Sequence, residues 1–177
     1  MVQFDSHAES RVQFFPTVRV AYTRAIGAYP VSSQEAWKRL LGWLDRREPR
    51  YAPNRGFGLA HDNPQTTAAH DLRYDACVIE PPVWHDKDCE VMSRGVVPGG
   101  LYAVRRHAGP FLEVGAIISD VRDVWMPKTG LVFDGTRPVV AIFHQDPRIT
   151  PPEQQTSQVC LPVLSAGSGR TPAPGSV

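Results

Sequence analysis

His61-Asp62-Asn63-Pro64 and His144-Gln145-Asp146-Pro147 are two versions of one phrase, each placed after a short apolar run and before a strand-like run that carries a cysteine, Cys77 and then Cys160. Both landmarks recur at the same offset of 83 residues. Upstream, residues 14–29 lie against residues 96–111 at an offset of 82, with proline, alanine, arginine and glycine recurring at matched places and Tyr29 answering Phe111. A two-copy repeat is too short for a solenoid, which needs at least three stacked units. It predicts a fused pseudo-dimer with a groove between two similar halves.

Working outward from the phrase, residues 11–15 and 18–23 alternate apolar with polar, Val18, Val20 and Tyr22 share one face, and Pro16 stands between the runs as a hairpin break does. Ser32-Ser33-Gln34-Glu35 has the spacing of a capping box. The helix that follows carries Trp37, Leu40, Leu41 and Leu44 on one face and is expected to end at Pro49. Residues 57–61 and 72–80 read as two more strands joined through the Asn63-Pro64 turn. The order then repeats. Strands at 91–97 and 101–106 flank Pro98-Gly99-Gly100, and a helix opens at Pro110 with Val114, Ile117, Ile118, Val121 and Trp125 on its inner face until Pro127 stops it. Strands at 139–144 and 158–163 close the second copy.

The expected fold class is therefore α+β, a duplicated hairpin–helix–strand–strand module with pseudo-two-fold symmetry. The predicted boundaries are repeat 1 at 11–80, a charged connector at 81–89 and repeat 2 at 90–164. Residues 1–10 and the Gly-, Ser-, Pro- and Ala-rich 165–177 are expected to be disordered ends.

Composition narrows the function classes. With 177 residues, 42% hydrophobic content and a net charge of +1, the chain fits one compact domain or two halves sharing a core. A charge so near zero gives no electrostatic footprint for nucleic acid or an anionic membrane, and Arg46-Arg47 and Arg105-Arg106 read as solvated surface. No room for a helix-turn-helix precedes Arg11, and no basic recognition helix appears, so direct nucleic-acid contact is not expected. The absence of a spanning apolar run and of a signal-peptide pattern predicts a cytoplasmic protein. Three scattered cysteines, Cys77, Cys89 and Cys160, suit reduced thiols, with Cys77 and Cys160 as small buried hydrophobes. No phosphate loop, nucleophile elbow or His-Glu-x-x-His motif is present, so no cofactor is expected. His85-Asp86-Lys87-Asp88-Cys89 lacks a second ligand pair at zinc spacing, and no metal site is assigned to it.

Several phrases in order carry a resemblance: Gly58-x-x-His61-Asp62-Asn63-Pro64, Leu72-Arg73-Tyr74-Asp75-Ala76-Cys77-Val78, Pro98-Gly99-Gly100-x-Tyr102-Ala103-Val104, His107-x-Gly109-Pro110-Phe111, Trp125-Met126-Pro127 and Asp146-Pro147-Arg148-x-Thr150-Pro151. Together they resemble the GyrI-like family, which also supplies effector-binding domains to AraC-type transcription regulators. The resemblance implies two antiparallel sheets forming a cradle, helices outside and small molecules bound in a central groove. It also implies a choice among drug sensing, hydrolysis of cyclopropane-bearing toxins and inhibition of DNA gyrase, which fold alone does not settle.

One departure bears on that choice. Family members carry a glutamate in a Glu-Ile-Tyr phrase where this chain reads Ala141-Ile142-Phe143. A carboxylate in an apolar groove selects cations, so its loss favours apolar or amphipathic aromatic ligands. Tyr22, His61, Tyr102, Phe111, Trp125, Ala141 and Phe143 are the candidate ligand contacts, and Glu113 and Glu90 are the acids available to replace the missing one in a hydrolase. For Phe111 and Trp125, as for Trp37 and Trp43, core packing is the favoured reading. For His61 and His144, at the entrance to a turn, a hydrogen bond that fixes the turn is favoured over groove contact.

Overall fold

Strands form at each place where the alternation marks them. The computed structural model describes residues 10–47 and 53–164. Within them the chain runs β1 (Arg11–Phe15), β2 (Val18–Ile26), α1 (Tyr29–Arg46), β3 (Gly56–Ala60), β4 (Arg73–Ile79), β5 (Ser93–Val97), β6 (Gly100–Ala108), α2 (Val114–Asp120), α3 (Met126–Thr129), β7 (Val139–Phe143) and β8 (Thr156–Pro162). Residues 1–9, Pro49 and residues 165–177, on which the expected ragged ends and the first helix stop fall, lie outside the described residues.

The eight strands make one antiparallel sheet in the order β1-β6-β8-β7-β3-β4-β2-β5, where two separate sheets were expected. The β3–β7 ladder, from Gly56↔Phe143 to Ala60↔Val139, joins the halves. The expected hairpins at Pro16 and Pro98-Gly99 are also replaced. β1 pairs with β6 rather than β2, and β5 pairs with β2 rather than β6. Only Pro16 and Thr17 link β1 to β2, a reach of about 11 Å at most. In a flat sheet those strands stand six steps apart, about 29 Å. The sheet must curl, and it closes into a half-barrel.

Curling separates the apolar residues by face. Val20, Phe57, Leu59, Cys77, Val97, Tyr102, Val104, Val140, Ile142 and Cys160 form one buried cluster inside the curl. Residues one position away in the strands meet the helices outside: Ala21, Ala25, Tyr74, Ala76 and Val78 pack under α1, and Ala103, Val139, Ala141, Phe143, Val159 and Leu161 pack with Val114, Ile117 and Val121 of the second helical segment. α1 covers β2 and β4, and α2 covers β8.

The helices depart from the expected ends. α1 starts at Tyr29, with Ala28 at its N-cap, no side-chain cap and Pro30 in the first turn. Ser32, read as the cap, is buried inside the helix, and its hydroxyl donates to the Gly27 carbonyl at 3.0 Å. In the second segment a 3₁₀ turn (Phe111–Glu113) leads into α2, a π turn spans Val121–Trp125, and α3 carries the helix through Pro127 to Gly130, whose φ of +71° ends it. Proline lacks the donor a regular ladder needs. At the start of α3, directly after the π turn has shifted the ladder, that donor is not required.

A further correction concerns Arg47, read as surface and found buried, 4% exposed. Its guanidinium lies 3.4 Å from Asp88 and 5.2 Å from the Trp43 ring centroid. Asp88 accepts from Trp43 Nε1 at 2.8 Å and from the His85 backbone N–H at 2.8 Å. Burial raises the Asp88 carboxyl, but the His85 and Trp43 hydrogen bonds and the Arg47 charge hold it below the ordinary carboxylate value. The charged connector is thus pinned to the end of α1. No helix among the described residues is long and apolar enough to cross a membrane, which says nothing of a strand barrel.

Candidate functional site

The sequence-predicted contacts fall on opposite faces of the sheet. Tyr22, His61 and Tyr102 belong to the inner face, whereas Phe111, Trp125, Ala141 and Phe143 belong to the helix side.

On the helix side the central strands supply a floor of small residues, Gly58, Ala60 and Ala141. Aromatic rings cross it from one helix to the other. Trp37 on α1 meets Phe143 edge-on, with centroids 5.4 Å apart, and Phe143 meets Phe111 at 4.6 Å. Trp37 Nε1 donates to the Tyr74 hydroxyl at 3.0 Å, and the Tyr74 ring lies 6.2 Å from Tyr29. A Cβ on Gly58 would fall inside the Tyr74 hydroxyl, so glycine is what lets the phenol lie over the strand. Trp37, Phe111 and Trp125 remain half-buried. Ala141, where the resemblance implies a glutamate, is 4% exposed in the apolar cluster.

The acids proposed as replacements are not brought together. Glu113 sits in the 3₁₀ turn ahead of α2, 3.3 Å from His107 Nε2. Glu90 is exposed in the connector that Asp88 ties to α1. Of the two, Glu113 adjoins the aromatic belt, through its neighbour Phe111.

On the inner face, a hollow of about 170 Å³ is lined by Val20, Tyr22, Leu59, Cys77, Val96 and Pro138 with Arg24, His61 and Asp75. Arg24 and Asp75 are directly paired in the β2–β4 register. The guanidinium holds the carboxylate through Nε at 2.6 Å and Nη2 at 2.8 Å, and His61 Nε2 lies 2.6 Å from the second carboxylate oxygen. An acceptor at that distance requires the proton on Nε2. The His61 ring is therefore committed to Asp75 and does not fix its turn, contrary to the expected role. Asp62 does so, accepting from the Arg73 backbone at 2.8 Å and bonding Tyr29 through its own main chain.

Burial pushes Asp75 upward, but Arg24 and then His61 outweigh it and hold the carboxyl below its ordinary value, while the bond to Asp75 raises Arg24. Cys77 is 1% exposed, and burial drives its thiol well above the ordinary value. Tyr102 is unavailable to a ligand: it is 1% exposed, its hydroxyl donates to the Pro98 carbonyl at 2.6 Å, and Arg137 covers its ring at 4.8 Å.

Asp75→Asn is expected to lower stability at pH 7 by about 1.5–3 kcal/mol, the range for a hydrogen bond to a charged group. Partial exposure of Arg24 keeps the loss below that of a fully buried pair. Because the folded pKa of Asp75 is depressed, its contribution is present above about pH 4, the unfolded value, and is lost as pH falls through the folded one. Urea denaturation should show the wild-type advantage over the variant shrinking toward pH 3.

The sequence reading missed Arg24 and Asp75. The signal was present: alternation places Arg24 on the face of Val20 and Tyr22, and Asp75 on the face of Cys77, so both charges stand in apolar rows.

The family model described as GyrI-like small molecule binding domain matches residues 8–164. A "Probable transcriptional regulator YgiV" from Escherichia coli O157:H7 is 31% identical over 103 residues, 56% of this chain and 61% of that protein. The chain thus spans about three-fifths of the length of that curated relative. The EcmrR C-terminal domain has the same fold, with a TM-score of 0.66 at 14% identity, covering 88% of this chain and 97% of that one. So does SAV2435 bound to tetraphenylphosphonium, with a TM-score of 0.58 at 12% identity and coverage of 88% and 94%.

Proposed function

The chain belongs to the GyrI-like small molecule binding domain family, and from that premise we propose that it holds an apolar or amphipathic aromatic compound between its two halves, on the helix side of the sheet. The observation that carries this reading is the belt of half-buried rings over a floor of small residues. Trp37, Phe111 and Trp125 approach the floor from the two helical segments, Phe143 joins them at the centre, and Gly58, Ala60 and Ala141 leave the floor flat. Flat aromatic walls stack on a flat ligand, and each such contact adds about 0.5–1.5 kcal/mol beyond area burial. With Ala141 in place of a carboxylate, nothing in the floor compensates a ligand cation. SAV2435 binds a lipophilic cation; this chain is assigned the neutral counterpart of that chemistry.

One contact favours chemistry as a second reading. Glu113, beside Phe111 and 3.3 Å from His107, is an acid–imidazole pair at the end of the belt, and hydrolysis of a reactive natural product would use it to activate water.

The test is a thermal-shift titration with a matched neutral and cationic aromatic pair, triphenylmethane-type carbinol and tetraphenylphosphonium, followed by mass spectrometry of the recovered compound. Ligand at a hundred times its Kd stabilises the folded state by about 2.7 kcal/mol, several degrees in Tm. A larger shift with the neutral compound, recovered unchanged, is the expected result. A larger shift with the cation overturns the charge assignment, and recovery with water added makes the protein a hydrolase.

A further inference from the structure

The Arg24–Asp75–His61 cluster is not a requirement of the fold. At the matching register of the other half, Arg106 stands opposite Gln158 on β6 and β8, as Arg24 stands opposite Asp75 on β2 and β4. There the carboxylate is an amide and Arg106 is exposed. Both halves keep a buried cysteine two residues further along, Cys77 and Cys160, so the strands are built alike and only one carries the ion cluster.

The cluster also has a vacant side. Asp75 occupies the Nε and Nη2 edge of Arg24, and its oxygens are taken up by Arg24 and His61. Nη1 of Arg24 makes no hydrogen bond among the described residues. The guanidinium is thus held in place along its Nε–Nη2 edge, where Nη2 also lies 3.3 Å from His61 Nε2, while Nη1 brings unused donors to the fork between Nη1 and Nη2. That fork matches a planar carboxylate bidentately. Arg24 keeps 36% of its side chain exposed, so the fork is reachable. Beyond it lie Val20, Leu59 and Pro138. The hollow is smaller than the roughly 300–1,000 Å³ of drug-sized sites, which excludes the bulky compounds assigned to the helix side.

We propose that the inner-face hollow binds a small monocarboxylate, its carboxylate on the Nη1–Nη2 fork of Arg24 and its short apolar body against the accessible lining residues Tyr22 and Val96. This site lies across the sheet from the aromatic belt and does not depend on what the belt binds. Asp75 acts as the positioning residue, fixing the guanidinium plane, and His61 braces Asp75 from the other side.

The test uses benzoate and its neutral isostere benzamide, titrated into methyl-labelled protein and followed by NMR. Benzoate is expected to bind at least about tenfold more tightly than benzamide, a difference of about 1.4 kcal/mol, and to shift the methyls of Val96 most, with those of Val20 and Leu59 behind it. The double variant Arg24→Gln with Asp75→Asn removes both charges together and so avoids a stranded partner. It should fold, as the unchanged methyl spectrum of the remaining core will report, and should lose the tenfold preference. Equal binding of the two probes overturns the proposal. So do a preference that survives in the double variant, and benzoate shifts confined to Val139 and Ala141 on the helix side.

Discussion

Ala141→Glu is expected to destabilise the protein by about 3–4 kcal/mol at pH 7 and to move the proposed neutral ligand preference toward cations. Ala141 is buried among Val139, Phe143, Val159 and Leu161, none of which offers a carboxylate a partner. An uncompensated buried charge costs about that much after its pKa has adjusted. The sign with pH follows from the direction of that adjustment. A buried glutamate has its folded pKa raised, so the penalty is absent below about pH 4.3, the unfolded value, and grows as pH climbs toward the folded one. Denaturant melts at pH 4 and pH 7 should therefore converge with wild type at the acid end. Tetraphenylphosphonium supplies the missing counter-charge, and saturating amounts should restore several degrees of Tm in the variant while moving wild type little. A variant as stable as wild type at pH 7, or one indifferent to the cation, would falsify the placement of Ala141 in the ligand floor.

The second large effect is structural. Asp88→Ala should cost about 3–5 kcal/mol, a drop in Tm of roughly 10 °C for a chain of this size. Removing the carboxylate leaves the Arg47 guanidinium, with only 1% of its side chain exposed, without its acid partner among the described residues, and takes the acceptor from Trp43 Nε1. Asp88→Asn keeps an acceptor for the indole and should lose less. Calorimetry of the two variants separates the charge from the hydrogen bond; if Asp88→Ala melts within 2 °C of wild type, the connector is not anchored as described.

Local physics made much of this fold readable. The period-2 rows of β2, β4, β7 and β8 and the 3.6-period rows of the helices depend on neighbours in sequence, and the sequence holds them openly. What it does not hold is pairing between distant segments. Nothing around Pro16 distinguishes a hairpin from a strand that leaves for β6, because the same proline suits both. Ser-x-x-Glu misled for a related reason: the spacing satisfies a cap, but Gly27 and Pro30 start the helix one turn earlier, and the serine hydroxyl turns back to Gly27. Pro127 fails as a stop because a π turn re-registers the ladder ahead of it. Among the candidate contacts, Phe111, Trp125, Ala141 and Phe143 fall on one side of the sheet because they lie on helix or strand rows that face the same way. Tyr22, His61 and Tyr102 were grouped with them only because a repeat argument cannot say which side of a sheet a groove occupies. Arg47 and Asp88 were hidden because charged residues read as solvated until their partners are seen.

The exchange of β1 and β5 between the halves has a consequence for how the chain comes to be made. β1 leaves the ribosome well before β6, whose partner residues run from Gly100 to Val104. β2 likewise waits for β5. Throughout synthesis of the intervening residues, β1 and the β5-facing edge of β2 expose unsatisfied backbone groups with no native partner to receive them. The first half therefore cannot mature by itself and hold its shape for the second. Each segment's first strand forms the other's sheet edge, and the sheet is complete only once both have been translated.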